Sequence, residues 1–262
     1  MTLTRNVIQE SADLLNAAQT TRTPIGPLTE RYPGLAVADA YAIQQVNLHR
    51  RLRDGRALVG HKIGLTSESM QMLLGVDEPD FGYILDDMVL ANGSAVPVAR
   101  FCAPRVEAEV AFLFRAPLRG PGITVDEVRD ATEAVAVALE VVDSRIDKWR
   151  LTLPDTVADN ASSGAVVLGE WVSFDDAIDL SCARASLCAN GTEMDSGTGA
   201  AVMGDPVAAV AWLANALGSF GTEIMPGHFV ISGSITSAPF VHAGDDVATT
   251  ISGLGAVSLS FT

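Results

Sequence analysis

The stretch Arg105-Val106-Glu107-Ala108-Glu109-Val110-Ala111-Phe112-Leu113-Phe114 constrains this chain more than any other. Val106, Ala108, Val110, Phe112 and Phe114 form one apolar row, and Glu107, Glu109, Ala111 and Leu113 form the other. Period-two alternation rich in Val and Phe predicts a β-strand. Side chains at i and i+2 of a strand share a face, so Glu107 and Glu109 project together. Two such carboxylates repel unless a positive charge lies between them or one holds a proton. A solvated face would relieve the repulsion, yet this face turns apolar at Ala111 and Leu113. A third acid, Glu140, sits in the otherwise uncharged run 134–142, where an unpaired carboxylate is costly to bury. Convergence of the three acids on a hard divalent cation resolves both difficulties. All-oxygen ligation suits Mg²⁺ or Mn²⁺ rather than Zn²⁺.

The 262 residues suffice for one large domain, or a domain with a smaller appendage, around a substantial core. A net charge of −15 argues against nucleic acid and anionic membranes as partners. It does not argue against small anionic substrates, because a local cation reverses the field at a site. Cys102, Cys182 and Cys188 form no C-x-x-C pair and leave one over, which suits free thiols in a reducing cytoplasm. The N-terminus has no signal-peptide apolar core, and no uninterrupted apolar run approaches a membrane span. The expected location is the cytoplasm.

Helical spacing predicts helices at 5–19 and 37–53, the second ending in a basic tail that suits the helix dipole. The run 58–66 predicts a short buried strand bracketed by glycines. Its Lys62 either reaches out to solvent or lies near an anionic or metal-bound substrate. A short helix at 66–74 and a loop at 75–83 follow, in which capping a turn is the ordinary role for Asp80. Thr124 and Glu127 form a capping box for a helix to about residue 135, which passes into the strand carrying Glu140. Residues 155–164 are dense in small polar groups. Gly197-Thr198-Gly199 is a turn, since its spacing is not that of a phosphate loop and no strong strand precedes it. Asp205-Pro206 opens a helix stopped at Gly218, and residues 228–262 are β-rich. Helices first, then mixed strands, imply an α+β fold. The expected organisation is a helical region at 1–57 joined to a β-rich catalytic part at 58–262, as one folded unit.

Several long motifs, in order, carry a family resemblance. They are Gly60-His61-Lys62-Ile63-Gly64-Leu65-Thr66, Gly75-Val76-Asp77-Glu78-Pro79-Asp80-Phe81-Gly82 and Pro104-Arg105-Val106-Glu107-Ala108-Glu109. Leu139-Glu140-Val141-Val142-Asp143-Ser144-Arg145 and Asp155-Thr156-Val157-Ala158-Asp159-Asn160-Ala161-Ser162 follow. From about residue 38 onward the chain resembles the hydratase/decarboxylase branch of the fumarylacetoacetate hydrolase superfamily. The resemblance implies a mixed β-roll core of the fumarylacetoacetase C-terminal type with an N-terminal helical part. It also implies Mg²⁺ or Mn²⁺ on Glu107, Glu109 and Glu140, in agreement with the carboxylate argument. The implied assembly is a homo-oligomer, a pentamer or decamer, and a complex with another enzyme of its pathway is a further expectation.

The implied activity is hydration of 2-hydroxypenta-2,4-dienoate, or a close 2-hydroxy-2,4-dienoate, to 4-hydroxy-2-oxopentanoate in meta-cleavage degradation of aromatics or of steroid rings. Pro79-Asp80-Phe81-Gly82-Tyr83 leans toward hydratases. Ser162-Ser163 and Gly233-Ser234-Ile235-Thr236 lean toward decarboxylation of 2-oxo-3-hexenedioate. Lys62 is the expected proton shuttle, its pKa lowered by burial beside a cation. Asp80 is the expected general acid/base or water-orienting group. Ser232, Gly233 and Ser234 would offer backbone N–H groups to the substrate carboxylate, with Ser162, Asp159 and Asn160 as further contacts. Two other classes compete. A C–C bond hydrolase needs a histidine base near the metal, and of four histidines only His61 lies in a motif. A metal-stabilised, non-catalytic subunit of an enzyme assembly is the other.

Overall fold

A computed structural model of the chain describes residues 3–67, 71, 72, 76, 78–175 and 178–262. The helix Arg5–Thr21 opens at Thr4, whose hydroxyl accepts from the Val7 N–H at 3.4 Å. It packs along the helix Val37–Arg53, where Asn47 Nδ2 donates to the Ala12 carbonyl at 3.1 Å. The basic tail of the second helix is structural, with Arg50 paired to Asp13 and Arg51 to Asp87. Both helices contribute Ala12, Leu15, Ala40 and Ile43 to the same core as the strands.

Eight strands form the larger sheet: β1 (Leu58–Gly64), β2 (Asp80–Leu85), β3 (Val89–Leu90), β5 (Arg105–Phe114), β6 (Thr132–Val142), β7 (Ser163–Leu168), β8 (Val172–Ser173) and β11 (Phe229–Ile231). Their order is β2-β1-β11-β5-β6-β7-β3, with β8 beside β6. The sheet curls until β2 also touches β7, which makes it a roll with an inner and an outer face. The smaller sheet has the order β10 (Thr192–Thr198), β9 (Arg184–Ala189), β12 (Asp246–Ile251), β13 (Gly255–Phe261) and β4 (Ser94–Val96). Its strands β12 and β13 pack on β6. Phe112, Phe114, Val135, Val137, Leu139, Leu187, Val257, Leu259 and Phe261 are buried in one cluster that spans both sheets. Full burial of each large apolar side chain contributes about 1.5–3 kcal/mol.

The roll interior is a second apolar cluster, with Ala111, Ala136, Ala138, Val166, Ile231, Ile84 and Met88. The alanines lie on the same rows as the carboxylates, because strand side chains alternate. Small side chains there allow the tight curl.

Three local expectations are corrected. The loop predicted at 75–83 is a strand from Asp80 onward, since Asp80, Gly82 and Ile84 pair with Gly64, Lys62 and Gly60 of β1. The helix begun by Thr124 ends at Ala131, and β6 takes over at Thr132 because it pairs with β5 along the latter's whole length. A strand does lead into Gly197: β10 is a polar edge strand, so hydropathy conceals it. The short helix Leu153–Ala158 runs into the polar stretch 155–164. The helix expected at 66–74 lies largely outside the described residues.

The helix Pro206–Ser219 is capped by Asp205, whose carboxylate accepts from the Val207 N–H at 2.9 Å. Contrary to expectation, the segment Gly199–Ser219 is long and apolar enough to cross a membrane by length and composition. Its α-helical part has 14 residues, about 21 Å, against the roughly 30 Å of a hydrocarbon core. Val207, Val210, Leu213 and Leu217 are buried in the protein core.

Candidate metal centre and active site

Antiparallel pairing of β5 with β6 sets Glu107 directly opposite Glu140, and Glu109 opposite Ala138 on the same face. Oxygens of the three carboxylates lie within 4.8 Å of one another. Glu109 and Glu140 are fully buried, and Glu107 keeps some exposure. Strand β1 brings Lys62 into this cluster. Its Nζ lies 3.2 Å from Glu140 Oε2 and donates to the Ala161 carbonyl at 3.0 Å. Asp80 enters from β2, where Oδ2 accepts from Thr156 Oγ1 at 3.1 Å. Gly64 makes room for both: a Cβ there would sit 2.2 Å from Asp80 Oδ1 and 3.4 Å from Lys62 Nζ.

Charge balance in this cluster is lopsided. Asp80, Glu107, Glu109 and Glu140 face Lys62, with Arg105 acting more weakly on Glu107 alone. Burial, reinforced by Glu140, pushes Glu107 up to about 7. Glu109 is held well above the usual carboxylate range by burial, then by Glu140 and Glu107. Burial also raises Glu140 and Asp80, against the opposing pull of Lys62. Glu109 Oε1 and Glu140 Oε1 are buried and accept no hydrogen bond. Three converging carboxylates with orphaned oxygens and surplus negative charge fit a hard divalent cation. Lys62 is governed by the carboxylates around it. Burial lowers its pKa, but Glu140, Asp80, Glu107 and Glu109 together outweigh burial and raise it, so without a cation it stays charged.

The remaining predicted residues divide. Ser162 and Ser232 are buried with hydroxyls that have no partner. Two of the three backbone donors expected to meet a substrate carboxylate are already engaged: Ser232 N with the Val110 carbonyl at 3.0 Å, and Gly233 N with Glu109 Oε2 at 2.8 Å. Gly233 thus steadies a carboxylate. Its φ of +103°, and the 2.4 Å that would separate a Cβ from Thr66 Oγ1, both demand glycine. Ser234 bonds locally, its hydroxyl donating to the Thr236 carbonyl at 2.7 Å. Asp159 points away from the carboxylates into a buried ion pair with Arg145, Oδ1 to Nε at 2.5 Å. Asn160 spans β2, accepting from Tyr83 N at 2.8 Å and donating to the Tyr83 carbonyl at 3.0 Å. Sequence reasoning missed Thr156, Gly64 and the Ala161 carbonyl. Only Gly64 left a signal, as one of the glycines that bracket β1. His61 faces away from the carboxylates, beside His228 at a ring-centroid distance of 6.5 Å, so it supplies no base at the cluster.

The curled sheet, the helical N-terminal part and a carboxylate triad at one end of the roll define a metal-dependent fumarylacetoacetase-type fold. Residues 51–261 match the family model for the fumarylacetoacetate (FAA) hydrolase C-terminal region, and the chain belongs to this family. It is 42% identical over 251 residues to 2-hydroxyhexa-2,4-dienoate hydratase of Comamonas testosteroni, covering 95% of each chain. Against 2-hydroxypent-2,4-dienoate hydratase of Pseudomonas putida the identity is 45% over 218 residues, 83% of this chain and 98% of that one. Among solved structures, 4-oxalocrotonate decarboxylase from Pseudomonas putida G7, complexed with magnesium and adipate, superposes with a TM-score of 0.97 at 35% identity. That likeness covers 100% of this chain and 99% of the other.

Proposed function

We propose that this chain is a divalent-metal-dependent hydro-lyase that adds water to 2-hydroxypenta-2,4-dienoate or a close 2-hydroxy-2,4-dienoate. The observation that carries the reading is the convergence of Glu107, Glu109 and Glu140 with Lys62 and Asp80 at one end of an apolar roll. Those three carboxylates would hold Mg²⁺ or Mn²⁺, which supplies Lewis-acid stabilisation of charge on the substrate's C2 oxygen. The enol O–H loses its proton and C5 gains one, giving a 2-oxo-3-enoate; water then adds its oxygen to C4 and a proton reaches C3. The product is 4-hydroxy-2-oxopentanoate.

Lys62 is assigned the shuttling proton, since it sits charged beside Glu140. Asp80, bonded to Thr156 and pushed up by burial, is assigned water orientation and proton exchange. Ser162 and Ser232 supply free hydroxyls for substrate oxygens. Ala111, Ala136, Ala138 and Ile231 line the interior beyond the carboxylates, which favours a substrate with an uncharged far end. We place the enzyme in the cytoplasm as a homo-oligomer, which light scattering after size exclusion would check.

Decarboxylation of 2-oxo-3-hexenedioate is a second reading, favoured by Arg105. This residue precedes Glu107 on the same strand row and stacks between Trp149 and Phe240, 4.8 and 3.9 Å from their ring centroids. Its buried Nε has no partner, so a distal carboxylate would find a cation there. Fresh 2-hydroxypenta-2,4-dienoate, incubated with and without Mg²⁺, tests the assignment through loss of dienol absorbance and product analysis. Metal-dependent 4-hydroxy-2-oxopentanoate is the expected result. No turnover, with CO₂ released from 2-oxohex-3-enedioate, overturns it.

A further inference from the structure

Asn160, Ala161 and Ser162 are three consecutive non-glycine residues in the left-handed region, with φ of 58°, 49° and 53°. Such residues are uncommon singly, and Ala has no side chain that favours the conformation. A left-handed run persists only where its surroundings over-determine it. Here they do. Arg145 grips the chain on both sides of the turn: Nη2 donates to the Asp159 carbonyl before it, and Nη1 to the Ser163 carbonyl after it at 2.9 Å. Asp159 anchors that guanidinium through Nε and also accepts from the Arg145 N–H at 2.9 Å. Asp143 N donates to the Ser162 carbonyl at 2.7 Å. The two side-chain bonds of Asn160 to Tyr83 then tie the turn to β2. Gly82 lets β2 come this close, since a Cβ there would lie 2.5 Å from the Asn160 carbonyl.

This construction has one outlet toward the carboxylates, the Ala161 carbonyl on Lys62 Nζ. A lysine stem has four rotatable bonds, and a single ion pair to Glu140 would leave the ammonium free to swing. A second acceptor on a rigid turn removes that freedom. We propose that Arg145 and Asn160 are positioning residues, which hold the Ala161 carbonyl on Lys62 and so fix its ammonium beside the carboxylates. Neither touches substrate. The inference rests on the role assigned to Lys62 under the hydratase reading, but its physical content can be measured without turnover.

The chain has two lysines, Lys62 and Lys148, and the side chain of Lys148 is 80% exposed. Competitive acetylation read by peptide mass spectrometry therefore reports Lys62 against an internal reference. The full-length protein, saturated with Mg²⁺, is compared with Arg145→Gln and Asn160→Gly. Glycine adopts the φ of position 160 without steric cost, so Asn160→Gly keeps the test alive should Arg145→Gln fail to fold. Expected in a folded variant are Lys62 acetylation at least about tenfold faster relative to Lys148, and kcat lower by roughly 10- to 100-fold with KM little changed. The Mg²⁺ concentration for half-maximal activity stays put. A folded Asn160→Gly with Lys62 as protected as in the wild type, or with wild-type kcat, overturns the proposal. Faster Lys62 acetylation in a protein that hydrates no dienoate would uphold the clamp and defeat the hydratase reading instead. Lys62→Met separates the two further: full turnover in that variant removes the role of Lys62 itself.

Discussion

Gly64→Ala isolates the packing that keeps Asp80 and Lys62 in one site. The backbone of Gly64 is not left-handed, so alanine fits the strand, and by unfolded-state entropy alone it would stabilise by about 0.4–1 kcal/mol. The side chain is the problem. Its Cβ would meet Asp80 Oδ1 at 2.2 Å, where ordinary contact begins at 3.4 Å. Asp80 must retreat by roughly 1 Å or rotate in a core packed without slack, and either motion breaks its 3.1 Å bond to Thr156. Overpacking costs about 1–3 kcal/mol, and the lost bond to a charged acceptor about 1.5 kcal/mol more. At about 2–4 °C per kcal/mol for a chain of this size, Tm falls by roughly 5–15 °C. Displacing the carboxylate proposed to orient water by that much lowers kcat about 100-fold. Differential scanning calorimetry and the dienol absorbance assay read both effects. A variant with unchanged or higher Tm and wild-type kcat would refute the claim that Gly64 is kept small for Asp80.

Replacing Glu107 with Gln removes one of the three carboxylates at the partly exposed rim, so metal-dependent turnover should vanish while circular dichroism stays native; full activity would sink the metal assignment. Mg²⁺ at about 100 times its Kd should stabilise the wild type by about 2.7 kcal/mol and leave Glu107→Gln nearly unmoved, as thermal shift would show. His61 is pulled down to about 4 by burial, with His228 adding to the effect. The unfolded chain binds the proton first, so stability is fully present above pH 6.5 and falls by about 3 kcal/mol as pH drops toward 4. Urea unfolding should show this slope lost in His61→Gln. Asp205→Ala removes the cap of the helix Pro206–Ser219, at a cost of about 1 kcal/mol with kcat unchanged; the urea midpoint reads it.

The three candidate carboxylates were legible before any fold was known, because period two is a local property and an acid in an uncharged run is an anomaly on its own. Its neighbours were less so. Asp80 lies between Pro79 and Gly82, which punctuate like a loop, and it became a strand residue only through pairing with Gly64. Lys62 was singled out, but the direction of its pKa depended on how many carboxylates reach it, which no spacing along the chain reveals. The N–H groups at Ser232 and Gly233 looked free and are in use, because β11 lies against β5. The left-handed turn at 160–162 left almost no trace, since alanine and serine carry no signal for positive φ.

Alone, the sequence determined the α+β class, the two main N-terminal helices, and which carboxylates share a strand face, all consequences of side-chain direction within one element. Tertiary structure decided that Glu107 faces Glu140, that Lys62 reaches both a carboxylate and a backbone carbonyl, and that the sheet closes into a roll. Those outcomes come from long-range pairing and curl, where the free energy of one residue depends on partners far along the chain, as Gly60 pairs with Phe229.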